Sequence, residues 1–237
     1  MDLPGARPSP PPLKGVESWI FDLDNTLYPA SCGLFVQIDR KMKAFICELL
    51  GVEEDEAHRL QKDYFHRYGT TLRGLMEHHE VDPAGYLDYV HAVDFSPVLA
   101  DPDLNNALAR LPGRKFIFTN GPATHVMEVL ARLGIGGHFE DIFDIEAADF
   151  LPKPTPEIYR RLLDRYGIDP KKAAMIDDLP KNLVPASALG MATVWLRTEF
   201  GASDLHKWED HIHYVVDDLA EWLAAIPLEE TRGFGAS

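Results

Sequence analysis

Cysteine is almost missing from this chain of 237 residues: Cys32 and Cys47 are too few for a disulfide framework, and neither has companions at zinc-ligand spacing. No apolar run approaches the ~20 residues that a membrane-spanning helix needs. The amino terminus has no basic region followed by an apolar segment, so no signal peptide is expected. Positive charge is scarce too: 23 Lys and Arg face 38 Asp and Glu, a formal net charge of -15. A field of that sign opposes a nucleic-acid polymer or an anionic membrane, and a small anion then needs a local cation to hold it. The expectation is a cytoplasmic protein, either one large domain or a main domain with a modest insert; nothing decides between monomer and homodimer.

What the chain does have is the stretch W-I-F-D-L-D-N-T-L-Y-P from Trp19 to Pro29. An apolar run that ends in polar turn residues reads as a buried strand, here carrying Asp22 and Asp24 at its carboxyl end. Side chains alternate along a strand, so the two acids share a face while Leu23 points away. Two buried carboxylates need a counter-charge, and hard oxygen donors suit Mg²⁺, which binds through one or two carboxylates plus substrate phosphate. Taken alone, the pair reads equally well as acids capping a turn.

Around this stretch the chain divides by pattern. Residues 1–15 hold the prolines Pro4, Pro8, Pro10, Pro11 and Pro12 with little to bury, and read as a disordered leader. After a first strand at Glu17 to Asp22, helical spacing recurs over Leu34 to Leu50, Glu53 to Tyr68, Leu72 to His79 and Pro83 to Val93, with no convincing strand. Residues 31–96 thus read as an all-helical cap inserted after the first strand. From Lys115 strands and helices alternate: Lys115 to Thr119, Ile142 to Asp144, Lys172 to Asp177, Ala192 to Leu196 and Tyr214 to Val216 are strands. Between and after them, Pro156 to Tyr166, Leu179 to Leu189 and Asp217 to Ala225 are helices. Alternation of this kind implies an α/β fold, a Rossmann-like parallel sheet with helices on both faces, built from residues 16–30 and 97–228. Residues 229–237 are left as a flexible tail.

Ligands of such sheets sit at the carboxyl ends of the strands. Asp22 and Asp24, Thr119 and Asn120, and Asp177 and Asp178 all fall there. Lys153, in L-P-K-P-T-P-E, sits in a loop stiffened by prolines; alone it reads as an exposed lysine, and only convergence on an acidic site makes it functional. Together these groups permit phosphoryl transfer: one carboxylate attacks phosphorus, its neighbour moves the proton, and a cation, Lys153 and hydroxyl donors hold the charged oxygens. Arg73, His66, His78 and His79 could meet a substrate but read first as a solvated helix face. His206, His211 and His213 lack an evident third ligand for a metal and read as surface residues.

In their order and residues, D-L-D-N-T, F-T-N-G, Lys153 and I-D-D-L-P-K-N resemble the four motifs of the haloacid dehalogenase-like superfamily, and the likeness spans nearly the whole chain after the leader. It implies Asp22 as nucleophile and Asp24 as general acid and base. Thr119, Asn120 and Lys153 become the substrate-binding group, and Mg²⁺ is held by Asp22, the Asp24 backbone carbonyl and Asp178, with Asp177 beside them. The dehalogenases of the superfamily lack an acid at the place of Asp24, and its ion pumps carry threonine there, so the resemblance implies a phosphatase or mutase. D-L-D-N-T-L-Y-P and the segment Y-G-T-T-L-R-G-L are most similar to the pyrimidine 5′-nucleotidase group, which implies a small phosphorylated substrate such as a pyrimidine nucleoside monophosphate. A phosphosugar phosphatase or mutase, and a metal- or nucleotide-binding regulator without turnover, stand as alternatives.

Overall fold

The computed structural model describes residues 13–198 and 209–227. The first twelve residues of the proline-rich leader, His206 and the 229–237 tail lie outside them. Six strands, β1 (Ser18–Phe21), β2 (Arg114–Phe118), β3 (Asp141–Phe143), β4 (Ala173–Asp177), β5 (Ala192–Leu196) and β6 (Tyr214–Val216), form one sheet in the order β3-β2-β1-β4-β5-β6. Every neighbouring pair is parallel.

Period-two alternation sorts the strand residues into two apolar layers. Trp19 and Phe21 join Ile117, Ala174, Ile176, Val194 and Leu196 on one face, packed by α5 (Pro102–Arg110), α6 (Ala123–Leu133) and α9 (Leu219–Ala225). Ile20 joins Phe116, Phe118, Met175 and Trp195 on the other, packed by α7 (Pro156–Tyr166) and α8 (Pro180–Leu189). Helices on both faces of a parallel sheet follow because neither face can be left to water.

The connection from β1 to β2 carries α1 (Leu34–Leu50), α2 (Glu54–Tyr68), α3 (Thr71–His79) and α4 (Pro83–His91), which share a core of their own around Ile38, Ile46, Tyr64, Leu75, Tyr86 and Val90. Helix α5 is absent from the sequence reading. Its start signal was present, since Asp101 caps it by accepting from the Leu104 amide and Pro102 opens the first turn. Asn105 and Asn106 weaken its propensity, and it is burial of Leu104, Ala107 and Leu108 in the same layer as Leu219 and Leu223 that stabilises it. Among the described residues no helix is long and apolar enough to cross a membrane.

Gly74 shows how tightly the helical block is packed. A Cβ there would lie 2.4 Å from Tyr64 Cγ, so the Tyr64 ring occupies the space a side chain would take. On an exposed helix Gly→Ala stabilises by about 1 kcal/mol; here Gly74→Ala is expected to lower the unfolding free energy by about 1–3 kcal/mol through overpacking. Urea denaturation checks this, and in a Tyr64→Ala background the sign of the effect should reverse.

Candidate active site

Strand β1 lies between β2 and β4, so the carboxyl ends of these three central strands open side by side. The Asp22 amide continues the β1–β4 ladder by donating to the Ile176 carbonyl (2.9 Å), which sets its side chain beside the end of β4. The chain then turns through Asn25, whose φ of 60° is left-handed, and Thr26 comes back to donate its hydroxyl to Asp22 Oδ2 (3.0 Å).

Lys153 is the centre of the cluster, at 1% exposure. Its Nζ donates to Asp22 Oδ1 (2.8 Å), Asp177 Oδ2 (2.7 Å) and the Phe118 carbonyl (2.8 Å), which uses all three ammonium protons. Asn120 fixes the lysine's backbone: its Oδ1 accepts from the Lys153 amide (2.7 Å) and its Nδ2 donates to the Lys153 carbonyl (3.3 Å). The sequence reading places Asn120 against substrate, whereas here both ends of its amide are taken up by the lysine's peptide groups. Thr119 is buried, and its hydroxyl oxygen accepts from the Gly121 amide (3.0 Å).

The two acids that end β4 are held differently. Asp177 Oδ1 accepts from the Leu179 amide and from Asn182 Nδ2, both at 2.9 Å, while its Oδ2 serves Lys153. Asp178 is equally buried, yet among the described residues its carboxylate accepts no hydrogen bond. One oxygen from each of Asp22, Asp177 and Asp178 lies within 4.8 Å of the others. Burial, with Asp177 and Asp24 nearby, pushes Asp22 up to about 7 against the pull of Lys153. Burial and the charges of Asp22 and Asp177 raise Asp178 well above the usual carboxylate range. Lys153, despite burial, is held above the ordinary lysine range by the same two acids that it pairs with.

Asp24 stands apart from the lysine. Its Oδ1 accepts from Tyr28 Oη (2.5 Å) and from His125 Nε2 (2.8 Å), two residues the sequence reading did not single out. Burial alone would raise Asp24, but His125 and the Tyr28 hydroxyl bring it down to about 2. Thr26 and Tyr28 each follow an acid by four residues, a spacing that was visible in the sequence; His125 carried no local signal.

The other histidines go elsewhere. His78 and His79 bond to the hydroxyls of Tyr68 and Tyr64, and Arg73 reaches Glu77 at 3.4 Å. His211 and His213 are half-buried rather than on the surface, because His213 Nδ1 accepts from the Thr193 amide (3.0 Å) and His211 Nε2 lies 3.1 Å from the Pro180 carbonyl. Besides His91, the helical block comes near the site at Gly69 and Phe65. A Cβ at Gly69 would stand 3.0 Å from the Lys153 carbonyl, and the Lys181 ammonium lies 3.3 Å from the centre of the Phe65 ring. Burial lowers Lys181 to about 8, against the pull of Asp177 and Asp178.

A model of the haloacid dehalogenase-like hydrolases matches residues 18–190, which takes in β1, the Lys153 loop and the acids of β4. The chain belongs to the haloacid dehalogenase-like hydrolases. Among relatives of this hydrolase, Phosphate metabolism protein 8 of Saccharomyces cerevisiae is 31% identical over 210 residues, covering 81% of this chain and 64% of the yeast protein, less than two thirds of its length. A glyceraldehyde 3-phosphate phosphatase of Methanocaldococcus jannaschii is 31% identical over 225 residues, 88% of this chain and 95% of that one. A 5′-nucleotidase of Pseudomonas aeruginosa is 25% identical over 209 residues, 84% of this chain and 90% of the other. Of solved structures, a HAD phosphatase from Thermococcus onnurineus shares the fold with a TM-score of 0.59 at 19% identity, over 87% of this chain and 95% of that one.

Removing the lysine would leave Asp22 and the Oδ2 of Asp177 without their counter-ion in a site closed to water. Lys153→Met is therefore expected to cost about 3–5 kcal/mol of stability, the penalty of breaking a buried ion pair from one side. Chemical denaturation in EDTA, against wild type, measures it.

Proposed function

We propose that this hydrolase is a phosphomonoesterase that works through an aspartyl-phosphate intermediate. The observation that carries this reading is the single buried ammonium of Lys153 set against Asp22, with a second carboxylate, Asp24, held separately by neutral and imidazole donors two residues on. One acid is placed for attack and the other for handling a proton.

In this reading an Asp22 oxygen forms a bond to phosphorus as the ester P–O bond breaks, and Asp24 gives its proton to the departing alkoxide. Asp24 is held low in the free protein, so the proton it gives is first taken up from water as the phosphate enters, a step that the negative charge of the phosphate favours. Water then attacks phosphorus, Asp24 takes a proton from it, and the Asp22–phosphorus bond breaks to release inorganic phosphate. Lys153 and Thr119 hold the equatorial oxygens. A phosphate oxygen that binds Lys153 must displace one of its three present acceptors.

The donor set fits a hard divalent cation. Asp178 is a buried carboxylate with no hydrogen bond of its own among the described residues, and it lies in one oxygen cluster with Asp22. Asp22, Asp178 and the Asp24 backbone carbonyl would hold Mg²⁺, while Asp177, with both oxygens engaged, serves mainly to hold Lys153. When bound, the ion neutralises part of the charge on the acids and on the phosphate oxygens.

We take α1 to α4 as a cap whose face, near Phe65 and Gly69, selects the leaving group. The preferred substrate class is a nucleoside 5′-monophosphate, pyrimidine first. It is supported by the likeness of D-L-D-N-T-L-Y-P and of Y-G-T-T-L-R-G-L (68–75) to the pyrimidine 5′-nucleotidases and by the 5′-nucleotidase relative. A triose phosphate is the second reading, favoured by the M. jannaschii relative.

A phosphate-release panel of pyrimidine and purine monophosphates, glyceraldehyde 3-phosphate and sugar phosphates tests both. Wild type should release phosphate without a bisphosphate primer. Asp22→Asn should fall to background, and Asp24→Asn should lose about 10²–10⁴-fold in kcat. Unchanged turnover in Asp22→Asn removes the nucleophile assignment. Independently of turnover, Mg²⁺ at about 100 times its Kd should stabilise the folded chain by about 2.7 kcal/mol. Asp178→Asn should abolish that gain in thermal or urea unfolding.

A further inference from the structure

Asp24 is held in a way that the proposed proton transfers do not by themselves require. Both hydrogen bonds it receives fall on one oxygen, Oδ1: Tyr28 Oη at 2.5 Å and His125 Nε2 at 2.8 Å. The other oxygen, Oδ2, faces the space beside Gly121. A Cβ built on Gly121 would stand 3.7 Å from Asp24 Oδ2 and 3.5 Å from the Thr119 hydroxyl, so the missing side chain leaves room between these two groups.

The two donors are themselves fixed. Tyr28 is 2% exposed and His125 is 1% exposed. The His125 ring packs against His91 (centroids 4.8 Å apart) and Phe95 (5.6 Å), and its Nδ1 is buried with no hydrogen-bond partner among the described residues. An unpartnered buried nitrogen is costly unless something offsets it. The bond on the opposite side of the ring, to Asp24, is the only polar contact this side chain makes among the described residues. A histidine placed merely to fill the core between His91 and Phe95 would be replaced at less cost by an apolar ring.

On the reading of Asp24 as the proton-handling group, we infer that Tyr28 and His125 are positioning residues that clamp its Oδ1, so that Oδ2 alone is presented to the leaving oxygen and then to water. Each bond restricts the rotation of the carboxylate about its χ2, a torsion that is otherwise broad. Neither residue touches phosphorus. Their effect is on the steps in which Asp24 moves a proton, and it disappears where no proton is needed.

That difference sets the test. Tyr28→Phe, His125→Leu and His125→Gln are assayed as full-length protein with Mg²⁺, using uridine 5′-monophosphate and glyceraldehyde 3-phosphate as alkyl esters and p-nitrophenyl phosphate as an ester whose anion leaves without protonation. Tyr28→Phe and His125→Leu are expected to lose about ten- to a hundredfold in kcat on whichever alkyl ester wild type hydrolyses, with KM within about twofold, the lower part of the general acid–base range. The pre-steady-state burst of p-nitrophenol should keep the wild-type rate, and the phosphorylated enzyme should accumulate because its hydrolysis still needs Asp24. His125→Gln, which can still donate to Oδ1, should recover most of the loss. Full kcat in both Tyr28→Phe and His125→Leu, or a burst slowed as much as alkyl-ester turnover, overturns the inference. If His125→Leu does not fold, the isosteric Tyr28→Phe decides alone. Asp24→Asn run alongside separates the two levels: if it too keeps full activity, the proton-handling role of Asp24 fails, and if it is crippled while the two clamp variants are not, only the clamp fails.

Discussion

Lys153 is enclosed by Asp22, Asp177 and the Phe118 carbonyl, and this one buried ammonium constrains everything placed around it. An ammonium withdrawn from water without acids beside it costs several kcal/mol, so Asp22 and Asp177 have to lie close to it. Yet the acids outnumber the lysine. Asp22, Asp24, Asp177 and Asp178 meet at one edge of the sheet, and Lys153 answers only two of them directly. His125 and Tyr28 answer Asp24, and Asp178 is left over. On the proposed reading an acidic chain would bind a small anion here in spite of its net charge, because what matters is the local balance once a cation has joined the cluster and not the field of the whole molecule.

The topology delivers this balance through three central strands and two chain crossings. Because β1 leads straight into the helical block, the residues just after its acids belong to the crossing, and Tyr28 reaches back to Asp24 from there. The return crossing runs from His91 through Phe95, whose rings pack on His125. Gln37, in the first turn of α1, ties the helical block to this return crossing, its Nε2 donating to the Asp94 carbonyl and its Oε1 accepting from the Asp94 amide, both at 3.0 Å. The second carboxylate thus sits where sheet and helical block join, while Lys153 is fixed to the sheet by Asn120. Asp22 is anchored in the sheet, and Asp24 at the junction.

Much of this was legible in the residues. Strand-ending acids, the proline-framed lysine and the alternation of strands and helices after Lys115 are local patterns, and parallel topology converts them into one edge. What escaped was decided by tertiary contact. Helix α5 has weak propensity and owes its existence to the layer under β1, so its periodicity carried less than its cap. Asn120 follows a threonine at a strand end and reads as a ligand-facing amide, but Lys153 arrives from 33 residues away and occupies it. His125 lies 101 residues from Asp24, and nothing near it in sequence distinguishes a histidine aimed at a carboxylate from one on a helix face. His211 and His213 escaped in the opposite sense, since the edge of the sheet offered Thr193 and the Pro180 carbonyl as partners and drew them half inside.

The fold alone does not choose the chemistry of this family; on the proposed reading, the place of Asp24 is where the choice is made. A halide leaves as a stable anion and asks nothing of its surroundings, whereas an alkoxide must acquire a proton as its bond breaks. An enzyme of the first kind has no use for a second carboxylate, still less for two buried donors on one of that carboxylate's oxygens. Here a tyrosine and a histidine, both closed to water, are committed to Asp24 Oδ1, and the histidine leaves its other nitrogen without a partner among the described residues to do so. A buried polar group left unsatisfied destabilises the fold and persists where something else depends on it. On the proposed reaction the dependence that fits is orientation: a carboxylate free to turn would offer its proton to the leaving oxygen only part of the time, and a clamped one would offer the same oxygen at both halves of the reaction.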